Sequence, residues 1–239
     1  MKRSELKAKA KMQIEGKIGV LFLITLVMFF IAFIFSLLIT LASIVALSLM
    51  PSSGIADMIL DIGSIIVNVI ITPAFALSVA RVYVMLFKGE TPDTNDAFSG
   101  FNDFWSAFKV TWLVSVYTFL WSLLFIVPGI IKGISYSMSM YILAENKGKP
   151  ALECIRESEA MTKGHKKELF MLFLSFIGWN LLGVLTLGMA QIFWVIPYMN
   201  ATFANAYDSL KNSAAAVDSP VENDGPRRRK SLIPQKKST

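Results

Sequence analysis

The chain has 239 residues, 54% of them hydrophobic and 17% charged, with a formal net charge of +6. A single cysteine excludes an intramolecular disulfide, and a single histidine excludes a multi-histidine metal centre. Lys and Arg are confined to a few segments between long uncharged stretches, a pattern of membrane-flanking loops rather than of a nucleic-acid-binding surface.

Met1 and the basic residues Lys2, Arg3, Lys7, Lys9, Lys11 and Lys17 open the chain. A short surface helix is expected over 4–14, with Glu5 and Lys9 paired four residues apart. Residues 18–56 carry no charge. That run is far longer than the 7–15 residues of a cleavable signal core, so it reads as an uncleaved first span within 18–50. The second span is expected over 57–87 with Pro73 near its middle, and the third over 104–127, stopped by Pro128 and Gly129. A shorter fourth span covers 130–144. Residues 169–207 are uncharged and too long for one span, so they are divided at 185–188 into a fifth and a sixth. A bilayer core about 30 Å thick needs about 20 apolar residues per helix, and soluble helices need a polar face that these runs lack. The expected fold is an all-α membrane protein with six transmembrane helices, arranged as three helical hairpins, plus short interfacial cytoplasmic helices. Its parts are a basic cytoplasmic segment (1–17), a six-helix membrane domain (18–211) and a disordered basic cytoplasmic tail (212–239).

The basic residues fix the expected orientation. Lys88 follows span two. Lys147, Lys149, Arg156, Lys163, Lys166 and Lys167 lie between spans four and five. Lys211 and the cluster Arg227, Arg228, Arg229, Lys230 follow span six. The three opposite loops, 51–56, 128–129 and 186–188, have no Lys or Arg. All charged segments then share the cytoplasmic side of the plasma membrane, with both termini there. The cytoplasmic segments carry helix signals of their own. Residues 150–162 read as an amphipathic helix started by Pro150, with Leu152, Ile155 and Met161 on one side. Gly164 supplies a left-handed stop. That helix either lies on the membrane surface or is a solvated connector. Thr91 is expected to cap a similar helix start. The terminal Arg-Lys cluster suits anionic lipid headgroups at roughly 1 kcal/mol per nearby charge, or simply sets topology.

Proline landmarks recur at Pro73, Pro128 and Pro197, each after an apolar approach, and Tyr83 and Tyr207 both lie ten residues beyond theirs. They mark either a triplicated hairpin or span starts and kinks. Gly129, Gly133 and Ser137 repeat every fourth residue, as do Ala76 and Ala80, a spacing that lets helices approach closely.

Ionisable residues within spans are candidate functional groups. Arg81 and Lys109 lie near the cytoplasmic ends. Asp61 and Lys132 lie near the outer ends of different hairpins and are expected to pair. Uncharged polar groups sit deeper: Asn68, Ser115, Tyr117, Thr118, Asn180, Gln191 and Asn200, with Ser135, Ser137 and Ser139 alternating with Tyr136 on the fourth span and Tyr141 close behind. Asn180, Asn200 and Ser137 either line a polar path or make interhelical hydrogen bonds. Metalloprotease, phosphate-loop, dinucleotide and nucleophile-elbow motifs are missing. Neither Cys154 with His165 nor any carboxylate pair within the spans makes a catalytic set, so no cofactor, metal or enzyme activity is expected.

The opening RSELKAKAK (3–11), the stretch LWSLLFIVPGIIKGISYSMSMYILAEN (120–146), the stretch 151–188 and WVIPYMNATFANAYD (194–208) resemble a bacterial integral-membrane family known as domain of unknown function 975. The resemblance covers about 1–210 and extends loosely to the membrane domains of glycerophosphodiester phosphodiesterases. It implies the architecture and no activity. The expected function is a non-enzymatic envelope or transport-associated module. The alternatives are a permease for a lipid or small molecule, and an accessory subunit docking a membrane or cytoplasmic protein partner through 150–167. No nucleic-acid partner is expected.

Overall fold

The computed structural model describes residues 3–49, 54–186 and 188–218, and all of their regular structure is helical. Helix α1 (Arg3–Ile14) precedes two very long helices, α2 (Ile18–Leu49) and α3 (Gly54–Phe87). A 3-10 helix (Thr94–Asp103) leads into α4 (Phe104–Leu124). Helices α5 (Ile126–Tyr136) and α6 (Ser139–Glu145) together make the expected fourth span, with a break at Ser137 and Met138. Then come α7 (Ala151–Thr162), α8 (Lys166–Leu174), α9 (Ile177–Leu185), a π-helical turn (Gln191–Val195) and α10 (Ile196–Asp218).

Among the described residues, five stretches are long and apolar enough to cross a membrane: Ile18–Val45, Asp61–Phe87, Thr94–Leu124, Ile126–Glu145 and Lys166–Leu185. The expected sixth, built on the π turn and α10, is not among them. Asn200, Thr202 and Asn205 lie on α10, which also runs on into the polar sequence beyond Lys211. The outward surface is apolar. Leu123, Phe125, Ile126 and Val184 are each about 70% exposed, as water-facing helices rarely are.

Two apolar clusters hold the bundle. One joins α3, α4, α5, α6, α7, α8 and α10 around Leu77, Met138, Ile142, Leu143, Leu169, Leu172 and Tyr207. The other seats α1 against α2, α3 and α10 through Ala10, Ile14, Leu21, Ile24, Val82 and Ala204. Lys9 donates to Asp208 of α10 (3.1 Å), and Asn205 donates to Gln13 (2.7 Å).

Several expectations change in detail. The 3-10 helix starts after Asp93, whose N–H is accepted by the Asp96 carboxylate (2.8 Å), so Thr91 is not its cap. Helix α10 extends through Asn212 to Asp218, past the point where disorder was expected, because Lys211–Asp218 has a run of good helix formers at Ala214, Ala215 and Ala216. The Arg227, Arg228, Arg229 and Lys230 cluster lies outside the described residues, as do Pro51, Ser52 and Ser53.

Helix α7 differs most. Its bounds match expectation, and Gly164 after it has φ of +89°. It does not lie free on a surface. Cys154, Ile155, Ser158, Met161 and Thr162 are buried against α4, α5 and α6, whereas Leu152 is exposed. The break between α5 and α6 explains the docking. Ser158 donates to the Ser135 carbonyl (2.7 Å) and accepts from the Met138 N–H (3.2 Å), and Thr162 also reaches the Ser135 carbonyl (3.3 Å). A broken apolar helix must have its freed backbone groups satisfied by a neighbour, and α7 supplies the hydroxyls.

The expected small-residue face on α5 packs on α4. A Cβ on Gly129 would lie 2.1 Å from Ser122 Oγ and 2.8 Å from its Cα, and one on Gly133 would meet the Thr118 methyl at 3.7 Å. Pro73 sits inside α3 without ending it.

Candidate functional site

Among the described residues, two cavities flank α3. The first, about 580 Å³, lies between α2, α3 and the start of α10. Its wall is mostly Leu, Ile, Val, Met and Phe, interrupted by Thr25, Ser36, Thr40, Ser64, Asn68, Thr72, Tyr83 and Asn200. Phe29 and Phe35 on this wall are about half exposed, so the cavity meets the outer apolar surface of the bundle. The second, about 520 Å³, lies between α3, α4 and the α5–α6 break. Its polar lining residues are Thr111, Ser115, Tyr136, Ser137, Ser139, Tyr141 and Asn200. Ala76, Val79 and Asn200 line both, so the cavities abut there.

Asn200 is therefore placed centrally. Its side-chain N–H donates to the Ile196 carbonyl one turn back (3.0 Å), which leaves its oxygen as an acceptor. Ser137, also expected as a site residue, donates to Ile134 (2.8 Å) on the wall of the second cavity. Two hydroxyls in that wall, Thr111 Oγ1 and Ser139 Oγ, are buried and have no protein partner. Thr111 was not legible as special, being one hydroxyl among many in an uncharged run. The repeat of Ala76 and Ala80 serves two purposes: Ala80 is buried packing, and Ala76 leaves room where the cavities meet.

The other expected site residues lie elsewhere. Asn180 accepts from the Gln191 amide (3.0 Å), tying α9 to the π turn, and a Cβ on Gly183 would lie 2.2 Å from the same Gln191. This is an interhelical hydrogen bond, worth only about 0.6 kcal/mol on average. The expected Asp61–Lys132 pair is not formed. Lys132 donates to Glu159 of α7 and stands 5.0 Å from the Trp121 ring centre and 5.8 Å from that of Tyr136. Charge pattern alone could not locate Glu159, because α7 was taken as a surface element when it folds back along α5. Asp61 is exposed and forms no ion pair among the described residues.

Charge is concentrated at the ends of the helices. Glu145, at the end of α6, accepts from Lys88 (3.1 Å), Lys211 (2.7 Å) and the Tyr207 hydroxyl (2.7 Å). One carboxylate thus joins the end of α3, the end of α6 and α10. Lys17 donates to the Glu90 carbonyl (2.9 Å) at the same end. Arg81, almost fully buried, donates to Asp103 and to the Ser99 carbonyl, binding the 3-10 helix to α3. Gly100 makes that contact close: a Cβ there would lie 2.0 Å from the Ala74 carbonyl, and its N–H donates to Ser78 (2.9 Å). Gly100 and Gly164, which look alike in sequence, thus answer different needs: close approach and a left-handed turn. On α7, burial pushes the Cys154 thiol up to about 11, so it is protonated at neutral pH. The hydrogen bond from Lys149 to Glu157 holds that ammonium above its usual range.

A family model described as a protein of unknown function (DUF975) matches residues 1–135 and 124–214, so the chain belongs to that family. No curated protein and no solved structure matches it.

Proposed function

We propose that this member of a family without an assigned activity is a multi-pass protein of the plasma membrane, with six spans in three hairpins and both termini cytoplasmic. It acts without catalysis, as an envelope or transport-associated module that holds a lipid or small amphiphile. The observation that carries this reading is the first cavity. It has the size of a ligand site (about 300–1,000 Å³), an apolar wall with spaced hydroxyls, and half-exposed Phe29 and Phe35 where the surrounding lipid would meet it. The charged helix ends gathered around Glu145, Lys88, Lys211 and Lys17 support the shared side of those segments. Native mass spectrometry of protein extracted in mild detergent tests the reading: co-purified lipid is expected, and protein that is always lipid-free refutes it. Cysteine-accessibility labelling of added terminal cysteines tests the topology, and ends found on opposite sides refute it.

One observation favours a permease as the second reading: Asn200 and its neighbours Ala76 and Val79 are common to both cavities, so a solute passing between them would meet Asn200. Under that reading, substitution of Asn200 or Ser137 abolishes transport without lowering protein level. Docking of a protein partner on α7 is less favoured, because the apolar side of that helix is already buried in the bundle.

A further inference from the structure

The lining of the first cavity follows one face of each long helix. On α2 it runs from Leu21 to Thr40, and on α3 from Ser64 to Tyr83, at helical spacing. Each stretch is 19 residue steps, or about 28 Å at 1.5 Å per step. The cavity is therefore a groove nearly as long as a bilayer core is thick. A volume of about 580 Å³ over that length leaves a mean section of about 20 Å². A helix about 10 Å across needs about 80 Å², so neither another span nor a second copy's helix fits. One extended hydrocarbon chain does.

The two ends of the groove differ. Leu21, Ile24, Val82 and Tyr83 are each at most 4% exposed and share a buried cluster with Ala10 and Ile14 of α1. Helix α1 thus closes this end. Toward the other end Phe29, Phe35, Ser36, Thr40 and Asn68 are exposed, and the groove opens onto the outer apolar surface. The polar groups on the wall do not call for a polar ligand. Thr25, Thr40, Ser64 and Asn68 donate to carbonyls three or four residues back on their own helices (2.8–2.9 Å). No Lys, Arg, His, Asp or Glu is among the described lining residues. A void of this shape leaves its lining without partner atoms, and in a bilayer the hydrocarbon beside it supplies them.

Resting on the lipid-holding reading above, we propose that this groove takes one acyl chain of a membrane lipid, methyl end first. The chain enters from the bilayer past Phe35, and its terminal methyl lies deep, toward Leu21 and Tyr83. The ester and headgroup stay at the open end, level with Thr40 and Ser64. On the topology proposed above, that headgroup lies in the outer leaflet. The bound chain passes the bilayer midplane, which a chain confined to a leaflet about 15 Å thick does not.

The test is photo-crosslinking of the full-length protein in nanodiscs of phosphatidylglycerol whose stearoyl chain carries a diazirine either at the methyl end or next to the ester. Peptide mapping is expected to place the methyl-end label on 21–28 and 79–83, several-fold above the ester-side probe, which labels 36–40 and 64–68. Ala76→Phe and Thr25→Phe each fill the groove from one wall. Each is expected to lower the methyl-end label on 21–28 several-fold while bulk lipid still labels the exposed Phe30 and Phe33. Reversed order of the two probes, equal labelling of the deep residues by both, or unchanged labelling in both variants overturns this inference. No label on the groove residues, as when a second copy covers them, overturns it too. If such protein still co-purifies lipid, the lipid-holding reading stands; if it holds none, both fall.

Discussion

Removing the Glu145 carboxylate is expected to loosen three helix ends at once. Its side chain is only about 10% exposed, and it accepts from Lys88, Lys211 and Tyr207. The lysines are 39% and 49% exposed, so each can turn to water, and each bridge is worth about 0–1 kcal/mol. Tyr207 is different. It is 1% exposed, and without an acceptor its hydroxyl is a buried unpaired donor costing about 1–3 kcal/mol. Glu145→Ala should therefore destabilise by about 1–5 kcal/mol, or roughly 2–20 °C in thermal midpoint for a domain of this size. Glu145→Gln keeps an acceptor for Tyr207 and should lose about half as much. Adding Tyr207→Phe to Glu145→Ala removes the orphaned donor, so the double variant should be no worse than Glu145→Ala alone. The assay is thermal unfolding in detergent, followed by size-exclusion fluorescence, over the full double-mutant cycle. Additive losses from Tyr207→Phe and Glu145→Ala, or equal damage from Gln and Ala, would refute the reasoning.

Gly100→Ala places a Cβ against the Ala74 backbone and should cost about 1–3 kcal/mol by overpacking, whereas Gly133→Ala, with 3.7 Å to spare, should be near neutral; thermal midpoints of the two variants check the contrast. Ser158→Ala strips hydroxyl bonds from the break between α5 and α6 and should cost about 1–3 kcal/mol, seen as lower stability and faster protease cutting near α7. Glu159→Lys should weaken the fold and Lys132→Glu with Glu159→Lys should restore it, while charge reversal at Asp61 does neither; rescue of Lys132→Glu by Asp61→Lys instead would contradict the pairing seen here. Cys154 should react slowly with maleimide at pH 7 in folded protein and fully after unfolding, because it is buried and its thiol is pushed up to about 11. Raising the pH toward that value increases the thiolate fraction and hence the rate, and rapid labelling of folded protein at pH 7 would argue against the docked α7.

Sequence by itself determined the apolar helices, their number to within one, the bounds of α1 and α7, and the left-handed turn at Gly164. Those features follow from local rules: runs without charge, proline at a helix start, glycine at its end. It also picked out Ser137 and Asn200 as deep polar groups, because a polar side chain in an apolar run is conspicuous. Only the tertiary structure decided what those groups meet. Lys132 finds Glu159 rather than Asp61, and Lys9 reaches Asp208 on a distant helix, because pairing depends on which helices pack. Ser158 acquires its role only because a helix broken 20 residues earlier lies against it. Asn200 and Ser137 share a cavity wall because α10 and α6 both pack against α3. Spacing along one chain encodes each helix, and contacts between helices distant in sequence encode the site.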